Sequence, residues 1–333
     1  MRSPTLSASP VDIVVVTWNS AHTLDRCLAS LRQYRASNSR LIIIDNASQD
    51  STLEILRAHR DEMSKLIENP ANRGFAAACN QGAKFGECSA ILFLNPDCEI
   101  QAATIPALVS ALESDPRNGA VGGRLLSPGG APQSGFAIRS LPGAVDLCLE
   151  SLLVNRVFPR NAWNKHYRRF DFAFDKDAEV EQPAGACFMV RRALFEEIGG
   201  FDERFHPAWF EDVDLCQRLR SRGARVVYCA GATVVHAGGS SAQSMVAGQA
   251  SEYFFLNMVR YSRKHFGGAK TVLLRMTLVL GMVMRMLVLT VGSSAGLHRR
   301  DADFGERPEG QVRGALQRAY WNVMKGALWQ WRP

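Results

Sequence analysis

Apolar and polar positions fall in alternating blocks along the first hundred residues. Val11–Thr17 (VDIVVVT) is a short, β-branched apolar run, the pattern of a strand buried on both faces. Ser20 then stands where a helix would be capped, and Leu24, Cys27, Leu28 and Leu31 recur at helical spacing. The alternation continues with a strand at Leu41–Ile44 ending on Asp45, a helix opened by Ser51-Thr52-Leu53-Glu54, and a short strand at Lys65–Glu68. A helix over Gly74–Phe85 and a strand at Ala90–Leu94 follow. Strands alternating with helices through short connections predict an α/β fold: a doubly wound, mainly parallel sheet with helices on both faces.

Three of these strands end on polar groups: Thr17-Trp18-Asn19, Asp45-Asn46 and Asn95-Pro96-Asp97. In an open parallel sheet, ligands sit beyond the carboxyl ends of the strands, so the three endings predict one oxygen-rich pocket. No G-x-G-x-x-G follows the first strand and no G-x-x-x-x-G-K-[ST] occurs, which excludes the usual dinucleotide and P-loop phosphate cradles. A divalent cation held by a carboxylate is the expected route for handling phosphates. Pro96 fixes the backbone just before Asp97. Taken singly, Asp97 could instead cap a helix, and the Asn-Ala-Ser-Gln-Asp run after Asp45 could form an Asx-turn.

The middle of the chain, about 129–180, is irregular and rich in Gly, Pro and aromatics. Regular patterning returns with a strand over Gln182–Val190 and a helix over Arg192–Ile198. Next come a Gly199-Gly200-Phe201-Asp202 turn and a helix opened by the acidic cluster Glu211-Asp212-Val213-Asp214. Helix dipole alone explains acids at that end, but not Trp209-Phe210 beside them. Asp214 and Arg218 are spaced for a helical ion pair. Two apolar stretches, Arg225–Tyr228 and Thr233–Val235, lead into His236, which is either structural or a metal ligand.

Composition narrows the class. Of 333 residues, 47% are hydrophobic and 21% charged, enough for a real core. The eight cysteines are scattered with no C-x-x-C, which argues against a zinc ribbon or a disulfide framework and for reduced thiols. The polar start MRSPTLSASP has no signal-peptide pattern, so catalysis is expected on the cytosolic side. From Glu252 onward, 13 Lys/Arg face 5 Asp/Glu, an excess of 8 that accounts for the net charge of +7. Within that basic region, Thr271–Val291 is Leu/Met/Val-rich yet carries Arg275 and Arg285 on one side of a helix. Such a helix either lies in an anionic membrane interface or packs on the protein's own core. No aromatic interleaving or binding motif accompanies the charge, so nucleic acid is not an expected partner.

The succession "VVVTWNS", "IIIDNASQDST", "NRGFAAACNQG", "LFLNPDCEI", "PAGACFMVRR", "GGFDERF", "FEDVDLCQRLRSRG" and "HAGGSS" resembles the family 2 inverting glycosyltransferases, closest to their bacterial rhamnosyltransferase-like branch. The likeness runs in order over roughly residues 11 to 266. It implies the GT-A nucleotide-diphospho-sugar transferase fold with a donor half at about 11–128 and an acceptor half at about 129–266. A tail at 1–10 precedes it and a basic, helical, membrane-associating region at 267–333 follows.

The resemblance also implies roles. Asn95-Pro96-Asp97 takes the D-x-D position, with Asp97 on Mg²⁺ or Mn²⁺ and Asn95, where the motif has its first Asp, on the ribose or sugar. His236 completes the metal shell. Thr17, Trp18, Asn19, Asp45 and Asn46 meet the nucleotide, while Arg73, Gly74 and, more remotely, Asn80 meet the donor's anionic part. Asp212 is the general base, and Glu211 and Trp209 orient the acceptor. The expected partners are a nucleotide-diphosphate sugar, with dTDP-rhamnose as first choice, and a saccharide acceptor that a polyprenyl diphosphate could carry. The expected location is the cytoplasmic face of a bacterial inner membrane. A nucleotidyltransferase or a non-catalytic sugar-nucleotide-binding protein are the alternatives.

Overall fold

A computed structural model describes residues 9–238, 245, 248–291 and 309–328. The expected tail at 1–10 and the segments 239–244 and 292–308 lie largely outside the described residues. The chain gathers into two compact units. One comprises 1–140, 168–204 and 211–238, and the other 141–167, 205–210 and 239–333.

The first unit is built on β1 (Val11–Thr17), β2 (Arg40–Asp45), β3 (Lys65–Glu68) and β4 (Ala90–Leu94), which run parallel in the order β3-β2-β1-β4. The sheet then continues through β10 (Cys187–Arg191), β6 (Asn118–Leu126), β11 (Arg225–His236) and β5 (Cys98–Ile100), with β8 (Ala178–Val180) beside β11. Here the expectation of a mainly parallel sheet needs correcting. β10 runs antiparallel to both β4 and β6, and β5 and β8 run antiparallel to β11, so the sheet is mixed. The expected strand over Gln182–Val190 is also two elements. β9 (Gln182–Pro183) pairs with β7 (Ile138–Arg139) in a small second sheet, and the break between β9 and β10 carries Ala184-Gly185-Ala186. The apolar stretches before His236 form a single strand with a register shift between Cys229 and Thr233.

The helices follow the apolar spacing. α1 (Ala21–Tyr34) buries Leu24, Cys27, Leu28 and Leu31, and α2 (Thr52–Ala58) buries Leu56. α3 (Phe75–Ala83) is a helix of small residues that lies close on the sheet. A Cβ at Gly82 would stand 2.6 Å from both Ile44 and Val14 side-chain atoms. That close approach brings the N-terminus of α3 to the edge where β1 and β2 end. α4 (Thr104–Glu113) covers the opposite side of β6 and β11, burying Ile105, Leu108, Val109 and Leu112. At the start of β1, buried Asp12 is held by Arg192 at 2.7 Å and by the Cys88 N–H at 2.7 Å. Asp12→Ala is expected to leave the Cys88 N–H unmatched and Arg192 with only Glu196 and two carbonyls as partners, costing about 1–3 kcal/mol, checked by urea unfolding. All eight cysteines are free.

The second unit contains α5 (Ala144–Ser151), α6 (Val154–Val157), α7 (which begins here, Ala162–Arg168), α10 (Gln249–His265), α11 (Gly268–Val291) and α12 (Glu309–Leu328). α8 (Arg192–Glu197) and α9 (Glu211–Ser221) belong to the first. α11 packs against α5, α10 and α12 with Leu274, Leu278 and Met282 fully buried. Its other face leaves Val272, Met276, Leu280 and Leu287 more than half exposed. Both arginines of this helix bond protein carbonyls: Arg275 donates to Ala327 and Arg285 to Ser151 and Glu150. The helix therefore has a packed face and an open apolar face.

Candidate active site

The register of the parallel strands sets the site. Thr17 lies beside Asp45 at the ends of β1 and β2, and Val15 beside Leu94 at the end of β4. The three polar strand endings thus share one sheet edge.

At the first two endings, the Thr17 hydroxyl donates to Asp45 Oδ1 at 3.0 Å. The Ser48 hydroxyl and N–H donate to the same carboxylate at 2.6 and 3.0 Å. Asn19, at φ +50°, accepts the Gln49 N–H through its side chain and donates its own N–H to Ser48, locking the two loops together. Trp18, half-buried, is fixed through its backbone by the Ser20 hydroxyl. That hydroxyl makes no cap bond to α1, although Ser20 stands at its N-cap.

Asn46 is more committed than its sequence position implied. Its amide donates to Asn72 at 2.9 Å and the Gly74 carbonyl at 3.3 Å, and accepts from Asn69 at 3.2 Å and the Arg73 N–H at 3.0 Å. With both ends occupied, it braces the turn that presents exposed Arg73 and Gly74 (φ +84°) at the head of α3. Asn46→Ala should leave two of those partners unmatched and lower stability by roughly 1–3 kcal/mol, measured by thermal unfolding.

The third ending carries Asp97, which is buried and faces His236 across 3.4 Å between Oδ1 and Nε2. Antiparallel pairing of β5 and β11 sets Cys98 opposite His236 and creates this approach. Gln133 orients the ring. Its Nε2 donates to the His236 carbonyl at 2.8 Å, which turns its Oε1 toward the ring nitrogen Nδ1 at 2.9 Å. With Gln133 Oε1 at Nδ1, Nε2 is the ring nitrogen turned toward the Asp97 carboxylate. Phe136 stacks on the imidazole at 5.5 Å and 12°. The Cys98 sulfur lies in the same cluster, but burial pushes its thiol pKa well up, and a thiol is a poor ligand beside a thiolate. Asp97 and His236 are the side chains here that could hold a divalent cation, with the imidazole oriented from behind by Gln133.

Asp212 stands at the start of α9, half-buried. Its Oδ2 accepts from the Gln182 amide and the Gly185 N–H, each at 3.1 Å, and its Oδ1 from the Val213 N–H at 2.8 Å. Burial raises its pKa above the ordinary aspartate value, opposed by the Val213 and Gly185 N–H groups and the Arg139 charge. Glu211, buried beside it, is pushed well up by burial and by the Asp212 charge. The hydrogen-bond donors thus favour the charge on Asp212, with Glu211 as the neutral partner. Asp214 and Arg218 form the expected ion pair at 2.7 Å.

The Asp97–His236 pair and Asp212 are joined by two consecutive residues. Gly185 bonds Asp212, while the Ala186 carbonyl accepts the Asn95 N–H at 2.9 Å and the Cys98 thiol at 3.3 Å. Both aspartates therefore stand at the sheet edge where β4 ends and β10 begins.

Two other residues have a different setting. Asn80 donates to the Phe201 carbonyl and accepts the Phe201 N–H, both at 2.9 Å, tying α3 to the Gly200-Phe201 turn. Trp209 lies in the second unit with a left-handed backbone (φ +75°), its carbonyl held by Asn257 at 3.2 Å. Gln133, Gln182 and Gly185 were not singled out by sequence. They lie in or beside the irregular middle, where no periodicity marks a side chain as turned toward a site.

A carboxylate–imidazole pair and a second carboxylate thus stand at one edge of this sheet. The model for glycosyl transferase family 2 matches residues 12–199, and that for the N-terminal domain of galactosyltransferase matches 165–236. The chain belongs to glycosyl transferase family 2 and is a glycosyltransferase of GT-A fold. It is 31% identical over 260 residues to the N-acetylglucosaminyl-diphospho-decaprenol L-rhamnosyltransferase of Mycobacterium tuberculosis, covering 73% of this chain and 83% of that one. Among solved structures it is similar to the mannosyltransferase PcManGT from Pyrobaculum calidifontis, in complex with GDP-Man and Mn²⁺. That likeness has a TM-score of 0.55 at 15% identity, over 99% of this chain and 92% of that one. GalNAc-T7 with UDP, GalNAc and Mn²⁺ gives a TM-score of 0.58 at 14% identity, over 98% and 57%.

Proposed function

We propose that the enzyme transfers L-rhamnose, with inversion, from dTDP-rhamnose to a hydroxyl of a saccharide carried on a polyprenyl diphosphate. The site works at the cytoplasmic face of a bacterial inner membrane. Asp97 and His236 would hold a divalent cation, Mg²⁺ or Mn²⁺, which would supply positive charge to the departing nucleoside diphosphate. Thr17, Trp18, Asn19 and Asp45 shape the nucleotide end, and Asn95 faces the sugar or ribose. Arg73 and the head of α3 attract the diphosphate, with Asn46 bracing their turn and Asn80 bracing the Gly200-Phe201 turn. Asp212 takes the proton of the acceptor hydroxyl as that oxygen attacks the anomeric carbon opposite the breaking C–O bond. Glu211 orients the acceptor.

The main support is the Gly185–Ala186 segment, which brings the metal-side and base-side aspartates to one edge. The donor sugar and the lipid-linked acceptor are supported by the mycobacterial relative, whose name carries both. Purified enzyme given a set of UDP-, GDP- and dTDP-sugars should slowly hydrolyse dTDP-rhamnose fastest. Preference for another nucleotide sugar would remove rhamnose, and no hydrolysis of any would remove the transferase reading.

The open face of α11 lies on the membrane surface, its apolar stripe among acyl chains. Deleting the helix would also uncover the second unit's core, so Met276→Glu with Leu280→Glu is the sharper test. This pair is expected to shift the protein from the membrane to the soluble fraction. Unchanged sedimentation with membranes would rule out α11 as the contact.

A further inference from the structure

Between α5 and α7 the second unit has a tip that exposes apolar side chains and buries polar ones. Val157 and Phe158 are 64% and 66% exposed and Trp163 is 55% exposed, whereas Asn155 and Asn164 are buried. The asparagines brace the tip from inside. Asn155 donates to Glu150 at 3.0 Å, and Asn161 donates to Asn155 at 3.0 Å and to the Phe158 carbonyl at 2.8 Å. Asn164 gives its N–H to Asn161 at 2.9 Å and its amide to the Pro159 carbonyl at 2.7 Å. Backbone on both sides of Phe158 is thus ordered with the ring held outward. Nothing in water favours that arrangement.

Charge identifies what covers it. From Ser151 to Phe170 the chain carries Arg156, Arg160, Lys165, Arg168 and Arg169 and no Asp or Glu. Arg156, Arg160 and Lys165 are exposed around the apolar residues. Exposed Phe and Trp rimmed by Lys and Arg match an anionic head-group layer, with rings at the acyl boundary and cations at the phosphates. α5, from which the tip springs, is fastened to α11. The Ser151 hydroxyl bonds Thr277 at 3.0 Å, and Arg285 donates to the Glu150 carbonyl at 3.1 Å. A Cβ at Gly281 would clash with the Ser151 backbone carbonyl, so only glycine allows the contact.

We infer that the Val157–Trp163 tip is a pre-ordered wedge that inserts into an anionic bilayer, a second membrane contact besides the α11 stripe. It deepens the membrane-surface part of the proposed function and rests on that part.

The test is co-sedimentation of the full chain with phosphatidylcholine vesicles with and without phosphatidylglycerol. Val157→Ser with Phe158→Ser should weaken partitioning about tenfold or more, the scale set by two apolar side chains leaving a buried setting. Arg156→Gln, Arg160→Gln and Lys165→Gln together should remove the preference for phosphatidylglycerol. Phe85→Ser, an exposed phenylalanine in the first unit, should change nothing, and unchanged circular dichroism should show that each variant folds. Wild-type affinity in the tip variant, equal binding of wild type to both vesicles, or no vesicle binding at all would each overturn the wedge. If the α11 pair releases the protein while the tip variant does not, the wedge fails and the membrane location stands. Donor hydrolysis, read in the same variants, separates either failure from that of the transferase reading.

Discussion

Asp212→Asn is expected to bind donor nucleotide like the native enzyme while losing about 10²–10⁴ in kcat, the usual contribution of a positioned general base. The asparagine oxygen can still accept from Gln182 and Gly185, so the loop between β9 and β10 keeps its shape. What disappears is the ability to hold the acceptor's proton. A pH profile supplies the same test without substitution. The base must be ionised, and burial raises its pKa, so activity should fall as pH drops through a value above that of an exposed aspartate. Titration calorimetry with the nucleotide and a turnover assay separate binding from chemistry. A variant that turns over within a few-fold of the native enzyme would remove Asp212 from the mechanism.

The second large effect concerns the opposite side of the same edge. Asp97→Asn keeps the side chain's volume but replaces an anionic ligand with a neutral one facing His236 Nε2. Mn²⁺ binding in the presence of nucleotide, followed by electron paramagnetic resonance, should weaken by about 10²-fold or more, and turnover should fall with it. His236→Gln should weaken it less, because an amide oxygen is a tolerable ligand for a hard cation. Gln133→Leu would leave both ligands in place but free the ring to turn. A loss of Mn²⁺ affinity there, with unchanged thermal stability, would show that Gln133 acts through the imidazole. Native-like Mn²⁺ affinity in Asp97→Asn would move the cation elsewhere.

The first half of the chain was legible in the sequence because its signals are local. Val11–Thr17, Arg40–Asp45 and Ala90–Leu94 are buried strands whose polar endings follow directly in the chain, and parallel register brings those endings together automatically. The joining of Asp97 to Asp212 was not legible. It depends on β10 returning antiparallel beside β4 and on an interruption at Ala184-Gly185-Ala186, where the sequence reads as continuous strand. The same limit hid Gln133 and Gln182, whose amides act at long range from irregular segments. Asn46 shows the same limit. Its place after Asp45 was readable, but the four protein partners of its buried amide were not. For α11, composition left membrane and core as rival settings, and the structure gives the helix one packed and one open face.

The most direct test is NMR of the anomeric proton of the sugar first released when the enzyme hydrolyses its preferred nucleotide sugar. A cation held by Asp97 and His236 with attack from the opposite face predicts inverted configuration, appearing only when Mg²⁺ or Mn²⁺ is supplied. Release with retained configuration, or at the same rate after chelation, would contradict it.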